Sequence, residues 1–323
     1  MLDKQGRNID YIRISVTDRC NLRCRYCMPE EGVQQVPHDE ILTFDEILHL
    51  ARIFAMAGIS HIKITGGEPL VRKNVTALIK DLKKIPGIET VTMTTNGLLL
   101  EENLPALADA GVDGINISLD TLKRERYNEL TGTDGLGQVL SAIDACGNFP
   151  QIKIKINAVT LADFNRDEIL ALALVAAMKE IDVRFIEMMP VGLGRYMKGY
   201  SQDEIFARLT DALGTPEPLP KGTGPAEYFR FPGFRGRIGF ISAVTHKFCS
   251  SCNRVRLSSQ GFLKTCLHYE DGTDLRSLIR SSMPDKEILS IIESTIKNKP
   301  AGHDFGTEET AGHEKKIMAQ IGG

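Results

Sequence analysis

The chain has 323 residues, with 39 basic and 42 acidic side chains and a formal charge of −3. This length allows one large domain, or a large and a small one, and the near-neutral charge gives no global reason to expect nucleic acid or an anionic membrane as a partner. The longest apolar stretch, residues 169–178, is far shorter than the roughly 18 residues that span a bilayer, which excludes a transmembrane role.

Up to about residue 186, short β-branched runs alternate with longer amphipathic ones, which predicts repeated βα units around a parallel sheet. Thr43 and Glu46 form a capping box that begins the first helix, and Gly58 ends it. Six strands, enough for a partial barrel, are predicted at 11–16, 61–64, 90–94, 114–118, 153–159 and 182–186. Further helices are predicted at 73–84, 101–110, 141–147, 166–179 and 201–213, and residues 132–137 are predicted as a loop.

Residues 214–225 contain four prolines and three glycines and are predicted to form a linker. We therefore expect a domain boundary near residue 220, with domains at 1–220 and 221–323. Beyond it, short strands of a small antiparallel unit are predicted at 228–231, 236–241 and 254–258, followed by helices near 275–281 and 286–297.

The cysteine content points to metal chemistry. The amino terminus lacks the apolar core of a secretory signal, so we expect a cytoplasmic protein in a reducing compartment, where disulfides are rare. Seven cysteines is an odd number, and six of them fall into two groups of three.

Cys20, Cys24 and Cys27 follow the first predicted strand, where a βα loop presents side chains at the carboxyl end of a parallel sheet. A structural zinc site requires four protein ligands, and the nearest histidine, His38, lies eleven residues past Cys27. An iron–sulfur cluster held by three cysteines keeps one iron open for a small molecule, and this interpretation is favoured over zinc.

This loop resembles that of the radical S-adenosylmethionine (SAM) superfamily, whose CxxxCxxC motif carries an aromatic residue, here Tyr26, before the last cysteine. The resemblance extends to TGGEP at residues 65–69, which in that superfamily lies against the methionine amino group of SAM. Two glycines would let the backbone approach the ligand, and a carboxylate can accept from an ammonium. An isolated Gly-Gly pair would indicate only a βα turn.

The second group of cysteines comprises Cys249, Cys252 and Cys266. By spacing alone these residues could form a zinc ribbon completed by His246 or His268. Arg254 and Arg256 argue against this alternative, because in a strand they share one face. A site for a phosphorylated or purine ligand uses such a guanidinium pair, whereas a structural zinc site does not.

These motifs, with SLD at 118–120, RFIE at 184–187, CSSCNRVRLSS at 249–259 and a terminal Gly-Gly, closely resemble the GTP 3',8-cyclases of molybdenum cofactor biosynthesis, the bacterial MoaA family. The similarity runs from about residue 13 to residue 323. It implies an incomplete (β/α)6 barrel of TIM type with a small carboxy-terminal α+β domain over its open side. It also implies two [4Fe–4S] clusters facing a shared cavity, and a homodimer.

The resemblance further implies the chemistry. The first cluster would cleave SAM to a 5'-deoxyadenosyl radical, which would abstract hydrogen from C3' of GTP. Attack of C3' on C8 of guanine would give (8S)-3',8-cyclo-7,8-dihydroguanosine 5'-triphosphate, while the second cluster would hold the guanine. A flavodoxin- or ferredoxin-type reductant would supply the electron, and a pyranopterin monophosphate synthase would consume the product.

Two sets of contacts are implied at matching positions. The SAM contacts are Tyr26, Gly67, Ser118 and Met189. The GTP contacts are Arg13, Lys63, Thr94, Lys155, Arg254 and Arg256. Four cations would offset the roughly four charges of a triphosphate, and a charge such as Arg13 or Lys155 within an apolar strand is costly unless it faces a polar cavity. Met189 could instead fill the core, and Ser118 could simply end a strand.

Three further residues bear on this site. Arg184 also lies within a predicted strand and is expected near the SAM side. Many family members carry Lys-x-Arg where this chain has His61 and Lys63, and lysine lacks the bidentate fork of arginine. Cys146 lies outside both groups and is expected to be a buried thiol without a catalytic part.

The carboxy-terminal tail, residues 303–323, is polar, and its composition alone predicts a flexible segment. In the family it resembles, a terminal Gly-Gly reaches into the cavity and is needed for catalysis, which implies that role for Gly322 and Gly323. Two residues without side chains can enter a narrow channel, where backbone groups and the carboxylate can engage cations.

Two other functions stay open. One is another radical SAM enzyme with an auxiliary cluster, such as a peptide-modifying maturase, although those usually carry a larger downstream cysteine set than the three here. The other is a zinc-stabilised nucleotide-binding module without catalysis.

Overall fold

The computed structural model describes residues 1–34, 36–222, 224–305 and 313–322. All six strands predicted in the first part of the chain are present, with helices between them. The elements are β1 (Tyr11–Ser15), α1 (Phe44–Met56), β2 (His61–Thr65), α2 (Val75–Leu82), β3 (Thr90–Thr95), α3 (Leu100–Asp109), β4 (Gly114–Ser118), α4 (Arg124–Thr131), α5 (Leu136–Ala145), β5 (Lys153–Thr160), α6 (Ile169–Met178), β6 (Asp182–Glu187) and α7 (Gln202–Leu213).

Strands β1 to β6 are neighbours in chain order and pair in parallel throughout, as the predicted βα repeat requires. The capping box at α1 is confirmed. The Thr43 side chain accepts from the Glu46 amide at 3.1 Å, the Glu46 carboxylate accepts from the Thr43 amide at 2.7 Å, and Gly58 follows the helix with a φ of +89°. Apolar faces of the helices and strands share one large buried core.

The rest of the chain adds strands to both edges of this sheet. These elements are β7 (Glu217–Pro218), β8 (Glu227–Arg230), β9 (Ile238–Ile241), β10 (Arg254–Leu257), β11 (Phe262–Lys264), β12 (Gly272–Asp274), α8 (Leu275–Arg280), α9 (Asp285–Lys297) and α10 (Met318–Ile321). Strand β9 pairs in parallel with β6, and β10 pairs in parallel with β1, so the twelve strands form one sheet. The outer pairs, β7 with β8, β8 with β9, β10 with β11 and β11 with β12, are antiparallel.

The predicted antiparallel pairing is therefore present for β9 with β8 and for β10 with β11, but the prediction missed that β9 and β10 also pair in parallel with β6 and β1. Strand β9 reads IGFI and is almost wholly buried, which is typical of a strand covered on both faces in a parallel sheet. Gly236, two residues before β9, explains how it fits: a Cβ built there would lie 2.0 Å from the Ile181 carbonyl oxygen. The boundary near residue 220 stays a prediction.

Two helix predictions also needed correction. Helix α4 was not predicted because most of its residues are polar, and it buries only Tyr127, Leu130 and Thr131. Helix α5 begins at Leu136, so the loop predicted at 132–137 is two residues too long. Gly137 has a low helix propensity, and for this reason the first turn of α5 was predicted as loop. No helix among the described residues is long and apolar enough to cross a membrane.

Replacing Gly236 with Ala should destabilise the fold by about 1–3 kcal/mol, because the added methyl overlaps backbone that cannot yield without separating β9 from β6. Urea unfolding monitored by circular dichroism measures this free energy. Gly222→Ala, where an added Cβ meets nothing within 4 Å, is the matched control. Equal stability of the two variants would contradict the close approach.

Candidate active site

The inner face of the barrel carries polar side chains in rows. Strand partners lie side by side across a parallel sheet, and residues two apart along a strand share a face. One row contains Arg254, Tyr11, His61 and Thr90, and the next contains Arg256, Arg13, Lys63 and Thr92. Towards the carboxyl ends of β1 and β2, Ser15 and Thr65 form a third pair.

These rows line a cavity of about 570 Å³. All six predicted GTP contacts and Met189 line this cavity, together with Arg184 and His61. The cationic side chains that converge there are Arg13, Lys63, Lys155, Arg184, Arg254 and Arg256. The fold thus concentrates positive charge from five strands in one enclosed space.

Several of these cations repel one another, which disfavours their protonated forms. Burial lowers the pKa of Lys63 well below its usual value, and the charges of Arg184 and Arg13 lower it further. Burial and the same kind of repulsion lower the pKa of Arg256 and bring that of Arg13 to about 10. Among the described side chains, no carboxylate forms an ion pair with Lys63, Arg254 or Arg256. An anionic ligand would relieve this repulsion.

The opposite wall carries polar partners that sequence reasoning missed. Arg184 donates to Asn157 Oδ1 from Nε at 2.8 Å and from Nη2 at 2.5 Å. Lys155 Nζ donates to the Tyr228 hydroxyl at 3.2 Å and lies 3.8 Å from Asp182. The signal was available for Asn157, which stands two residues after Lys155 on β5 and so shares its face. Tyr228 lies on β8, which joins the sheet by pairing with β9, and the local sequence does not indicate this pairing.

The first cysteine loop packs directly on the Gly-Gly turn after β2. A Cβ on Gly67 would lie 2.3 Å from the Arg19 carbonyl oxygen, and one on Gly66 would lie 2.8 Å from the Thr17 carbonyl oxygen. Gly67 N donates to Thr17 O at 2.7 Å, and Glu68 N donates to Arg19 O at 2.8 Å. The two glycines are thus required to hold the cysteine loop, a reason that the sequence did not reveal.

Buried carboxylates tie this loop to the neighbouring strands. Glu68 accepts from Thr95 Oγ1 at 2.8 Å and from Asn96 N at 2.7 Å, and burial raises its pKa to about 7. The Tyr26 hydroxyl donates to Asp120 at 2.8 Å, and burial raises the pKa of Asp120 to about 6. Ser118 ends β4 two residues before Asp120. The predicted SAM contacts Tyr26, Gly67 and Ser118 therefore border the loop, and their roles stay predictions.

The second cysteine group lies at the opposite mouth of the barrel. Cys252 directly precedes β10 and Cys266 follows β11, so both lie at the amino end of β1, whereas Cys20 follows its carboxyl end. Strand β1 has five residues, which spans on the order of 15 Å. The cavity is lined by all three cysteines of the second group and by none of the first.

Buried cations fix the backbone around the second group. Arg7 donates to the carbonyl of Cys249 at 2.9 Å and to the carbonyls of Lys299, Pro300 and Ala301. Lys299 Nζ donates to Arg254 O at 2.9 Å and to Thr265 O. Although burial raises the pKa of Cys252, Arg254 and Lys299 bring it down to about 7. This environment favours a thiolate.

Neither cysteine group has zinc geometry. A zinc ion with bonds of about 2.3 Å gathers thiolates to about 3.8 Å from one another. Among the described residues, neither group brings three sulfur atoms within 4.8 Å of one another. His246 pairs with Asp203 at 3.0 Å, and His268 pairs with Asp304 rather than with a cysteine of the second group. Two wide sets of three thiols without a fourth protein ligand fit iron–sulfur clusters.

Protonated thiols are the stable form of the first group without such a centre. Burial raises the pKa of Cys27 to about 12, and it raises that of Cys24 well above its usual value, with Cys27 adding to the effect. A bound cluster supplies the positive charge that makes these thiolates favourable. Cys146, by contrast, lies in the hydrophobic core beyond α5, as expected of a thiol without a catalytic part.

The tail enters the barrel. Helix α10 packs Ile321 against Val191, Ala243 and Phe305. Gly322 follows with a φ of +82°, and its carbonyl accepts from Arg256 Nη1 at 2.7 Å. A Cβ on Gly322 would lie 2.8 Å from the Cβ of Ser15. The expectation of a flexible end, drawn from composition, is wrong for residues 313–322, and Gly323 lies outside the described residues.

Comparison with known proteins identifies both parts of the chain. Residues 14–176 match the Radical SAM superfamily, and residues 181–305 match Molybdenum Cofactor Synthesis C. The GTP 3',8-cyclase of Clostridium perfringens is 44% identical over 326 residues, covering 100% of both chains. That of Pelotomaculum thermopropionicum is 41% identical over 330 residues, again with full coverage of both.

A solved structure resembles the fold. The crystal structure of Streptococcus suis SuiB aligns with a TM-score of 0.62 at 15% identity, over 91% of this chain and 67% of that one. At this identity the likeness concerns the fold alone.

Replacing Gly67 with Ala should displace the first cysteine loop, because the new methyl would overlap the Arg19 carbonyl. We expect about half of the iron per chain to be lost after anaerobic reconstitution, with the second group still loaded. Gly147→Ala, where an added Cβ meets nothing within 4 Å, is the control. Full iron content in the Gly67 variant would show that the loop tolerates the displacement.

Proposed function

The chain belongs to the GTP 3',8-cyclase family, and on this premise we propose how its residues bind substrate and cofactors. It is an enzyme of molybdenum cofactor biosynthesis that cyclises GTP by radical SAM chemistry. Its cofactors are SAM and [4Fe–4S] clusters. The observation that carries the assignment of residues is the group of cations that face the cavity beside the second cysteine group.

Cys20, Cys24 and Cys27 hold the first cluster, and Tyr26, Gly67, Ser118 and Met189 contact SAM. When both are bound, the first cluster and SAM would together supply a 5'-deoxyadenosyl radical. The surrounding residues keep the loop rigid: Gly66 and Gly67 seat it against the β2 turn, and Asp120 holds Tyr26. Met189 follows β6 and lines the cavity, which supports its placement beside the ligand.

The triphosphate of GTP is bound by the cationic rows. Arg13 and Lys63 lie side by side on β1 and β2, and Lys155 faces them from β5. Lys63 is buried and Arg13 and Lys155 are half-buried, so a triphosphate bound between these three cations would reduce their mutual repulsion. Thr94 lines the same wall and offers a hydroxyl to the ligand.

Cys249, Cys252 and Cys266 hold the second cluster, and Arg254 and Arg256 orient the substrate beside it. Arg254 follows Cys252 by two residues and lies over the ring of Phe248 at 4.9 Å, which fixes its guanidinium. With phosphates held at the cationic rows and guanine towards the second cluster, the ribose is placed inside the barrel and away from water. Intramolecular attack of C3' on C8 requires such confinement.

We also propose that Gly322 and Gly323 take part in catalysis. Arg256 bonds the Gly322 carbonyl, and this same residue belongs to the row that faces the triphosphate. We propose that the tail excludes water on the side facing SAM.

The setting of the enzyme is also proposed. A bound SAM cluster requires a one-electron donor, which we take to be a flavodoxin- or ferredoxin-type protein. All seven cysteines are free thiols, which supports a reducing cytoplasm. The homodimer and the transfer of the product to a pyranopterin monophosphate synthase rest on the family alone.

Anaerobic incubation with GTP, SAM and dithionite tests this function. The reconstituted protein should hold about eight irons and form 5'-deoxyadenosine and a cyclised nucleotide. Cys24→Ala should abolish SAM cleavage, and Cys252→Ala should chiefly remove cyclisation, although some uncoupled cleavage can survive. Cys146→Ala is the matched control. Reconstituted protein that holds zinc and no sulfide would refute the assignment as a radical SAM enzyme. Formation of 5'-deoxyadenosine by the Cys24 variant would refute the assignment of the first cluster.

Changing Arg254 or Arg256 to Ala should weaken GTP binding or turnover by about 1.5–3 kcal/mol, the range for a charge-assisted hydrogen bond lost in a desolvated site. SAM binding should change little. Arg52→Ala, at an exposed position of α1, is the control. Equilibrium binding of GTP to the holoenzyme measures the effect. Unchanged affinity in both variants would show that Arg254 and Arg256 do not contact GTP.

Deleting Gly322 and Gly323 should leave folding, both clusters and GTP binding largely intact but remove most radical formation and cyclisation. Gly322→Ala should have a similar effect, because its Cβ would overlap Ser15. Lys315→Ala, an exposed position of the same tail, should retain activity. Wild-type turnover by the truncated protein would refute a catalytic role for the tail.

A further inference from the structure

A cluster of two histidines and an aspartate lies outside the residues assigned above. His268, Asp304 and His313 place one ligand atom each within 4.8 Å of the others, and they form the only such group among the described histidine, cysteine, aspartate and glutamate side chains. His268 Nε2 contacts Asp304 Oδ1, and His313 Nε2 lies 3.2 Å from the same oxygen. Both histidines are buried.

This donor set suits a divalent transition metal. Two imidazole nitrogens and one carboxylate are a common set for zinc, whose bonds of about 2.0–2.1 Å place tetrahedral ligands about 3.4 Å apart. The separation of 3.2 Å between His313 and Asp304 is close to that value. The centroids of the two imidazole rings lie 4.1 Å apart, so both rings can reach one ion. Three protein ligands leave a fourth position for water.

The three ligands come from separate parts of the chain. His268 follows the last cysteine of the second group, Asp304 lies in the segment after α9, and His313 begins the described part of the tail. The tail then runs from Glu314, which pairs with Lys264 and donates its amide to His268 O at 2.7 Å, to Gly322. A metal at this cluster would fix the first residue of a ten-residue segment that ends inside the barrel.

We propose that His268, Asp304 and His313 bind a zinc-type divalent cation that holds the tail against the mouth of the barrel. The site differs from the iron–sulfur sites in its donors, which are nitrogen and oxygen rather than sulfur. The ring of His268 packs edge-on against Phe305 at 4.7 Å, which fixes its orientation towards Asp304. The alternative is a metal-free hydrogen-bonded cluster of the same three residues, and the experiment separates the two.

Zinc binding by the fully reconstituted holoenzyme is the direct test. Equilibrium dialysis against buffered zinc, followed by elemental analysis, should give one zinc per chain beside the iron. His313→Gln and Asp304→Asn should weaken this binding at least tenfold. His246→Gln, an exposed histidine paired with Asp203, is the matched control and should bind as wild type does. Zinc adventitiously held by vacant cysteines would persist in every variant.

Trypsin cleavage of the tail gives a second measurement. Lys315 and Lys316 are exposed and lie directly after the ligand His313. Added zinc should slow cleavage at these lysines several-fold in the wild type and in His246→Gln, but not in His313→Gln. Equal zinc content in wild type and His313→Gln would overturn the proposal, and so would cleavage that zinc leaves unchanged in the wild type.

Discussion

The concentration of positive charge inside the barrel is the constraint on which the rest of the structure depends. Parallel pairing in register places Arg256, Arg13 and Lys63 side by side, and burial strengthens their repulsion because little water screens them. No carboxylate among the described side chains forms an ion pair with Lys63 or Arg256. Such an arrangement destabilises the empty protein. It is understandable in a site that is completed by a highly charged ligand, which we propose is the triphosphate of GTP.

The carboxy-terminal strands make part of this charge and the second cysteine group part of the barrel itself. Strand β10 pairs with β1, so that Arg254 lies beside Tyr11 and Arg256 beside Arg13, and Cys252 lies at the mouth opposite the first cysteine loop. The proposed substrate site and both cysteine groups therefore adjoin one sheet. The buried contacts of Arg7 and Lys299 with backbone carbonyls serve the same end, because they hold the second cysteine group against β10.

The sequence predicted the six central strands well because β-branched runs and βα spacing are local signals. All six predicted GTP contacts line one cavity, while the roles of these residues and of the two cysteine groups stay predictions. The sequence did not predict the parallel pairing of β9 and β10, since contacts between β10 and β1 join residues more than 240 positions apart. Gly67 was predicted to approach a ligand, whereas its clearest constraint is the carbonyl of Arg19, a contact that only the folded loop reveals. The tail was misjudged from composition because its partners lie in distant strands.

The most direct test of the central claim is a comparison of GTP, GDP, GMP and guanosine binding to the holoenzyme by anaerobic calorimetry. If the cationic rows bind the triphosphate, each phosphate removed should weaken binding by roughly tenfold, about 1.4 kcal/mol, and added salt should weaken GTP binding most. Equal affinities for GTP and guanosine would contradict the account, because the buried cations would then have no part in holding the substrate.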